Sequence, residues 1–422
     1  MSTENKNYAL PIAMMFALFF MIAFVTGLPS PMGVIMAKQF NATNFESQLG
    51  FFGNFLAYAF MGIPAGIMLK KWGYKITALA AIAVGFVGVG IQYSSGQVQS
   101  FPVYLIGTFV SGFSMCMLNT VVNPMLNTLG GGGNSGNKLL QFGGSLNSIG
   151  ATITPMLVGY LMGAEAGRTI EKANPALFLA MGIFALAFVV LSFVRIPEPH
   201  KETSAERKAK HAHSPLSFRH FIFGAIAIFI YVGIEIGIPS TANLFMTAQT
   251  TATNPGLGLD ATIAGSIVGI YWLLMLVGRL LGGFLGSKVS SKTMMTVVSV
   301  AGLVFISLAI FIPTTVAVNV PGLNVAVPMS VIFFVLCGLC TSIMWGGIFN
   351  LAVEGLGKYT AAGSGIFMVM VMGGGIVPLL QGWVSDHFGY INSYWVMFAC
   401  LAYLLWYALV GCKNVNKDIP VE

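Results

Sequence analysis

Apolar runs of about 20 residues, the length that crosses a bilayer, follow one another along almost the whole chain. Short loops, many of them carrying Lys or Arg, separate them. In hydrocarbon every backbone N–H and C=O must find a partner inside the protein, so these runs are expected to fold as spanning helices. They fall at 8–37, 47–69, 75–93, 101–128, 138–163 and 174–195, then at 217–248, 261–287, 292–313, 327–353, 360–384 and 391–411. The predicted fold is an all-α membrane protein of twelve helices. Only 8% of residues are charged, against about 25% in soluble domains, which leaves no sequence for a soluble domain.

The longest charged stretch, Arg195 to Arg219, contains Pro197, Pro199 and Pro215 and reads as a solvated linker. It divides the chain into a six-helix bundle at 1–195, a cytoplasmic linker at 196–216 and a second six-helix bundle at 217–422. Basic residues set orientation in membranes. With the N-terminus inside, Lys70, Lys71, Lys75, Lys138, Lys288, Lys292, Lys358 and Lys413 face the cytoplasm, and only Lys38, Arg168 and Lys172 face outside. Both termini are then cytoplasmic. The net charge of +7 resides in such loops and does not point to nucleic acid. The first apolar run lacks a small-residue cleavage site and is expected to stay as a helix.

The halves echo each other. MGIPAGIMLKKWGYK (61–75) and VGRLLGGFLGSKVSSK (277–292) each lead into a short basic loop. ITPMLVGYL (153–161) and IVPLLQGWV (376–384) each place Pro four residues before Gly. Two similar six-helix halves resemble the layout of the major facilitator superfamily, in which substrate sits between the halves near the midplane.

Glu235 is the one carboxylate well inside an apolar run, FIFGAIAIFIYVGIEIGIPSTANLFM. A charge at that depth costs roughly 3 kcal/mol, so such an acid is expected to face a polar cavity or a partner. Asn119, Asn123 and Asn127 recur every four residues and share one helix face. An amide stripe facing lipid would waste its hydrogen bonds, so this face is expected to meet protein or water. Asn54, Tyr58, Gln141 and Asn147 add polar groups in the first half, and Asn243, Tyr271, Trp272, Trp345, Asn350 and Gln381 do so in the second. Amides donate and accept at once, which suits a neutral polyol.

No Lys or Arg is expected deep in a span, and Arg279 is placed near the end of the eighth. Anionic substrates need such a cation, so a neutral substrate is expected. The chain has no GxxxxGKS/T sequence to drive transport with ATP. GGGG (130–133) lacks the strand and helix of a phosphate-binding turn. Cys337 and Cys340, in CGLC, read as packing residues. No cofactor, metal site or enzymatic activity is expected, and the chain is expected to act as a monomer.

MLNTVVNPMLNTLG (117–130), SLNSIGATITP (145–155), YVGIEIG (231–237), SIMWGGIFNLAVEGLGKYTAAGSG (342–365) and GGGIVPLLQGWVSD (373–386) resemble the fucose–galactose–glucose:proton symporter family. The resemblance extends over most of the chain. It implies a proton-coupled sugar importer of the bacterial inner membrane. Carriers resembling the fucose symporter have an Asp in the first span and a Glu in the fourth; these align with Ser30 and Asn119 here. Neither replacement exchanges a proton near neutral pH. Glu235 remains as the proton-coupling candidate, with sodium as the other candidate ion. A proton-driven exporter of amphiphiles, an uncoupled sugar facilitator and a sensor derived from a transporter are the competing functions. The short tail after Trp406 disfavours the sensor.

Overall fold

The computed structural model describes residues 8–129, 133–162, 169–197, 213–285, 289–320, 322–323, 325–356, 359–416 and 418–419. The first part of the chain forms α1 (Ala9–Gly27), α2 (Pro29–Gln39), the single turn α3 (Asn44–Ser47), α4 (Leu49–Trp72), α5 (Tyr74–Gln97), α6 (Phe101–Leu129), α7 (Gly133–Met162) and α8 (Asn174–Phe193). The second part forms α9 (Arg219–Thr247), α10 (Ala261–Leu285), α11 (Ser291–Phe311), α12 (Met329–Thr341), α13 (Met344–Val353), α14 (Thr360–Met370), α15 (Gly373–Phe388) and α16 (Tyr390–Trp406). Of the expected linker, residues 198–212 lie outside the described residues, and Pro215–Ser217 form one 3₁₀ turn.

Eleven helical stretches among the described residues are long and apolar enough to cross a membrane. The remaining predicted span, the fifth at 138–163, corresponds to α7, whose 30 residues reach about 45 Å at 1.5 Å per residue. Ser145, Asn147, Ser148, Thr152 and Thr154 lower its hydropathy, and the partners of Asn147, Ser148, Thr152 and Thr154 are protein groups on α7 itself, on α1 and on α10. Three predicted spans are interrupted. The first breaks before Pro29, the tenth at Ser342–Ile343 and the eleventh at Val371–Met372, ahead of three consecutive glycines. Proline and glycine weaken helix continuity at the first and last of these points.

A β-hairpin not anticipated from the sequence joins α11 to α12. β1 (Ala317–Val320) pairs antiparallel with β2 (Val325–Pro328). Gly322, at φ +83°, supplies the left-handed turn residue. Alternating valines in AVNV and VAVP are the sequence signal for it.

Packing follows two patterns. Within the first part α4 and α5 pack on α6, and α1 packs on α7. Across the parts, α10 packs on α7, and α14 and α15 pack on α4. Small residues allow the second kind of contact: a Cβ on Gly375 would lie 2.7 Å from the Cα of Phe52. Large apolar side chains such as Phe60, Ile63, Phe193, Phe284 and Phe311 are exposed on the outside, as a lipid-facing surface requires. α9 differs. It is the most buried of the eleven spans, at 67%, and a helix apolar on all sides is expected in such a central place.

Candidate functional site

Glu235 lies on α9, where Pro239 occurs inside the helix. Proline lacks the N–H that would bond the carbonyl four residues earlier, and here that carbonyl belongs to Glu235. The hydroxyl of Tyr271 on α10 takes the place of the missing donor, at 3.2 Å from Glu235 O. The same hydroxyl lies 3.0 Å from Thr341 Oγ1 on α12. α12 can come this close because of Gly338, where a Cβ would sit 2.2 Å from the carbonyl oxygen of Tyr271.

The carboxylate meets a cation. Arg279 Nη2 lies 3.4 Å from Glu235 Oε1, and the two side chains are only 16% and 15% exposed. This corrects the expectation that Arg279 stays at the end of its span, away from the interior. Its Cα is six residues from the end of α10, about 9 Å along the axis, and the long side chain turns inward rather than outward. A buried carboxylate provides the reason, because each charge lowers the desolvation cost of the other. The other guanidinium nitrogen crosses to the first part of the chain. Arg279 Nη1 donates to Gly144 O and to Ser148 Oγ on α7, both at 2.8 Å.

Beside this pair, Tyr231 is fully buried one turn before Glu235. Its hydroxyl lies near both charges without a well-formed hydrogen bond. Its ring is 6.2 Å from that of Trp345 on α13.

A second polar cluster lies on α6. Asn119 Nδ2 donates to Tyr58 Oη at 3.0 Å and to Met115 O at 3.1 Å. Asn123 Nδ2 donates to Asn119 O at 2.8 Å. On α7, Asn147 Nδ2 reaches Phe19 O at 3.3 Å.

Residues 14–377 match the family model of the Major Facilitator Superfamily. The chain belongs to the major facilitator superfamily. A glucose/galactose transporter of Brucella abortus is 29% identical to it over 417 residues, covering 98% of this chain and 97% of the relative. The L-fucose-proton symporter of Escherichia coli is 24% identical over 414 residues, covering 92% of this chain and 90% of that one. The crystal structure of the superfamily transporter FucP in the outward conformation matches with a TM-score of 0.69 at 22% identity, over 96% of this chain and all of that chain. The protein is therefore an integral membrane transporter and not an enzyme.

In this transporter the residues singled out from sequence separate into groups. Tyr58, Asn119 and Asn123 come together, and Glu235 joins Arg279, Tyr231 and Tyr271. Asn147 and Ser148 are neighbours on α7 and connect to α1 and α10 respectively. Asn54 is buried between α4 and α6, with its Nδ2 on Thr108 O at 3.3 Å. Gln381 and Asn243 are buried on α15 and α9; Gln381 Nε2 reaches Ser393 Oγ at 3.5 Å. Asn350 is exposed on α13. The side chains of Ser30, Asn127 and Gln141 lie outside the described residues.

Sequence reasoning missed Ser148 and Gly144 as partners of Arg279. It also missed what Asp386 does. That carboxylate accepts the backbone N–H groups of Asn44 and Phe45, at 2.7 and 2.9 Å, at the start of α3. Tyr390 donates to Asn44 Oδ1 at 2.8 Å, and Gln48 Nε2 to Ser240 Oγ at 3.3 Å. These bonds tie α3 and the start of α4 to α15, α16 and α9. The signal for Asp386 was present but general: Thr43 caps α3 and leaves neighbouring N–H groups to be satisfied.

Proposed function

We propose that this protein imports a neutral hexose or deoxyhexose together with a proton, by alternating access. The supporting observation is the Glu235–Arg279 pair with its link to Ser148. On this reading the acid that exchanges the proton sits next to a contact between the first and second parts of the chain. The names of the relatives, a glucose/galactose transporter and an L-fucose-proton symporter, supply the substrate class and the ion.

The cation at Arg279 does not make an anionic substrate necessary. Glu235 already balances its charge, so the pair suits an uncharged ligand as a source of directional hydrogen bonds. Asn119, Asn123 and Asn147 add amide groups toward hydroxyls, and Trp345 and Tyr58 add aromatic faces. Asn54, Gln141, Asn243, Asn350 and Gln381 complete the proposed binding set as expected from sequence, with Asn54 and Gln381 contributing through their helix contacts.

Residues 1–195 and 217–422 act as the two rocking bodies, joined by 196–216. The basic loops argue for an inner-membrane protein with both termini in the cytoplasm, acting as a monomer. With that orientation, the Asp386–α3 junction closes the outer end. In proteoliposomes, an inward pH gradient should drive accumulation of labelled glucose, galactose or fucose. Equal uptake with and without the gradient, at every sodium concentration, would show a facilitator instead.

A further inference from the structure

One helix holds Glu235 at both ends of the residue. Arg279 of α10 meets the carboxylate, and Tyr271, eight residues earlier on the same helix, meets the main-chain carbonyl. That carbonyl is the one that Pro239 leaves without a helical donor. The hydroxyl is itself held in place. It lies 3.0 Å from Thr341 Oγ1, on a helix that Gly338 brings into backbone contact with Tyr271. A hydroxyl that donates to Glu235 O can still accept from Thr341. Three helices therefore converge on a single peptide group, and that group carries the acid.

We propose that Tyr271 is a positioning residue for proton coupling, setting the Glu235 carboxylate through the main-chain carbonyl that Pro239 frees. This rests on Glu235 being the proton site. The reason the position matters is the length of the ion pair. At 3.4 Å the bond lies beyond the usual range for a charge-assisted pair. A small turn of α9 at residue 235 makes or loses it. Tyr271 fixes that turn relative to α10, the helix that also carries Arg279. A tyrosine that served only to fill space would not need its hydroxyl at the carbonyl that Pro239 leaves without a helical donor.

The test compares wild type, Tyr271→Phe, Tyr271→Phe/Pro239→Ala and Glu235→Gln in proteoliposomes. Two assays are run on each: accumulation driven by a pH gradient, and counterflow exchange of the sugar without a gradient. Tyr271→Phe removes one oxygen and leaves the ring. Gradient-driven accumulation should fall by about tenfold, the weight of one buried hydrogen bond and its stranded acceptor, with counterflow retained. Pro239→Ala returns an N–H to position 239 and should restore accumulation in the double variant. Unchanged accumulation in Tyr271→Phe overturns the proposal. So does a parallel loss of both assays, which would mean a structural role, or a double variant that fails to recover. Glu235→Gln separates this from the function on which it rests. If Glu235→Gln accumulates sugar normally, the coupling site itself is wrong, whatever Tyr271 does.

Discussion

Arg279 Nη1 lies 2.8 Å from Ser148 Oγ, a bond between residues 131 positions apart. The same guanidinium reaches Glu235 through its other nitrogen. One side chain thus connects an acid on α9 to a helix in the first part of the chain.

Arg279→Gln should be the most damaging single change at this pair. It leaves Glu235 buried without a counter-charge, which costs about 3–5 kcal/mol when a buried pair is broken from one side. Thermal unfolding of the detergent-solubilised protein should shift down. Adding Glu235→Gln should recover much of that stability, because the stranded charge is gone, while transport stays lost. A single variant as stable as wild type would mean that water already screens the pair.

Glu235→Gln keeps size and hydrogen bonding but fixes a neutral side chain. Accumulation against a sugar gradient should vanish and counterflow should continue. Normal accumulation would move coupling elsewhere. Asp386 is then a poor substitute, since its two oxygens are engaged by the N–H groups of Asn44 and Phe45.

Asn119→Ala should weaken sugar binding by about 1–3 kcal/mol, the cost of leaving polar partners unsatisfied. Tyr58 would lose the donor to its hydroxyl. Calorimetric affinity measured on the folded variant decides the matter, and an unchanged value would make Asn119 a packing residue.

Asp386→Asn should loosen the junction with α3. An amide offers one acceptor oxygen where the carboxylate offers two, and its N–H₂ would face one of the two backbone donors. A cysteine introduced next to Phe45 should react faster with a membrane-impermeant thiol reagent in the variant than in wild type. Equal rates would show that Tyr390 and Gln48 hold the junction without Asp386.

Gly338→Ala should destabilise the protein by about 1–3 kcal/mol, the usual range for overpacking. The new methyl group would overlap the Tyr271 carbonyl, a backbone atom that cannot rotate away. A melting temperature equal to that of wild type would show that α12 can shift without cost.

The sequence by itself determined the fold class and came within one of the number of long apolar helices among the described residues, because each span must present apolar side chains to lipid whatever its neighbours are. α7 shows the limit of that rule: the sequence reads 138–163 as a span, but polar side chains such as Asn147 and Ser148 bond to protein groups and lower its apolar character. Glu235 and the Asn119–Asn123 face were also legible, since a carboxylate or an amide stripe in an apolar run is costly in any fold. The partners were decided by tertiary structure alone. Hydropathy gives the position of Arg279 along its helix but not which helix lies opposite. The direction its side chain takes depends on a carboxylate 44 residues away and a serine 131 residues away. For the same reason the partners of Asp386, near the end of α15, emerged only when packing placed it against Asn44, 342 residues back along the chain. The tyrosine that serves the carbonyl freed by Pro239 could be found only once α10 was seen beside α9, because a missing N–H names the acceptor but not the donor that replaces it.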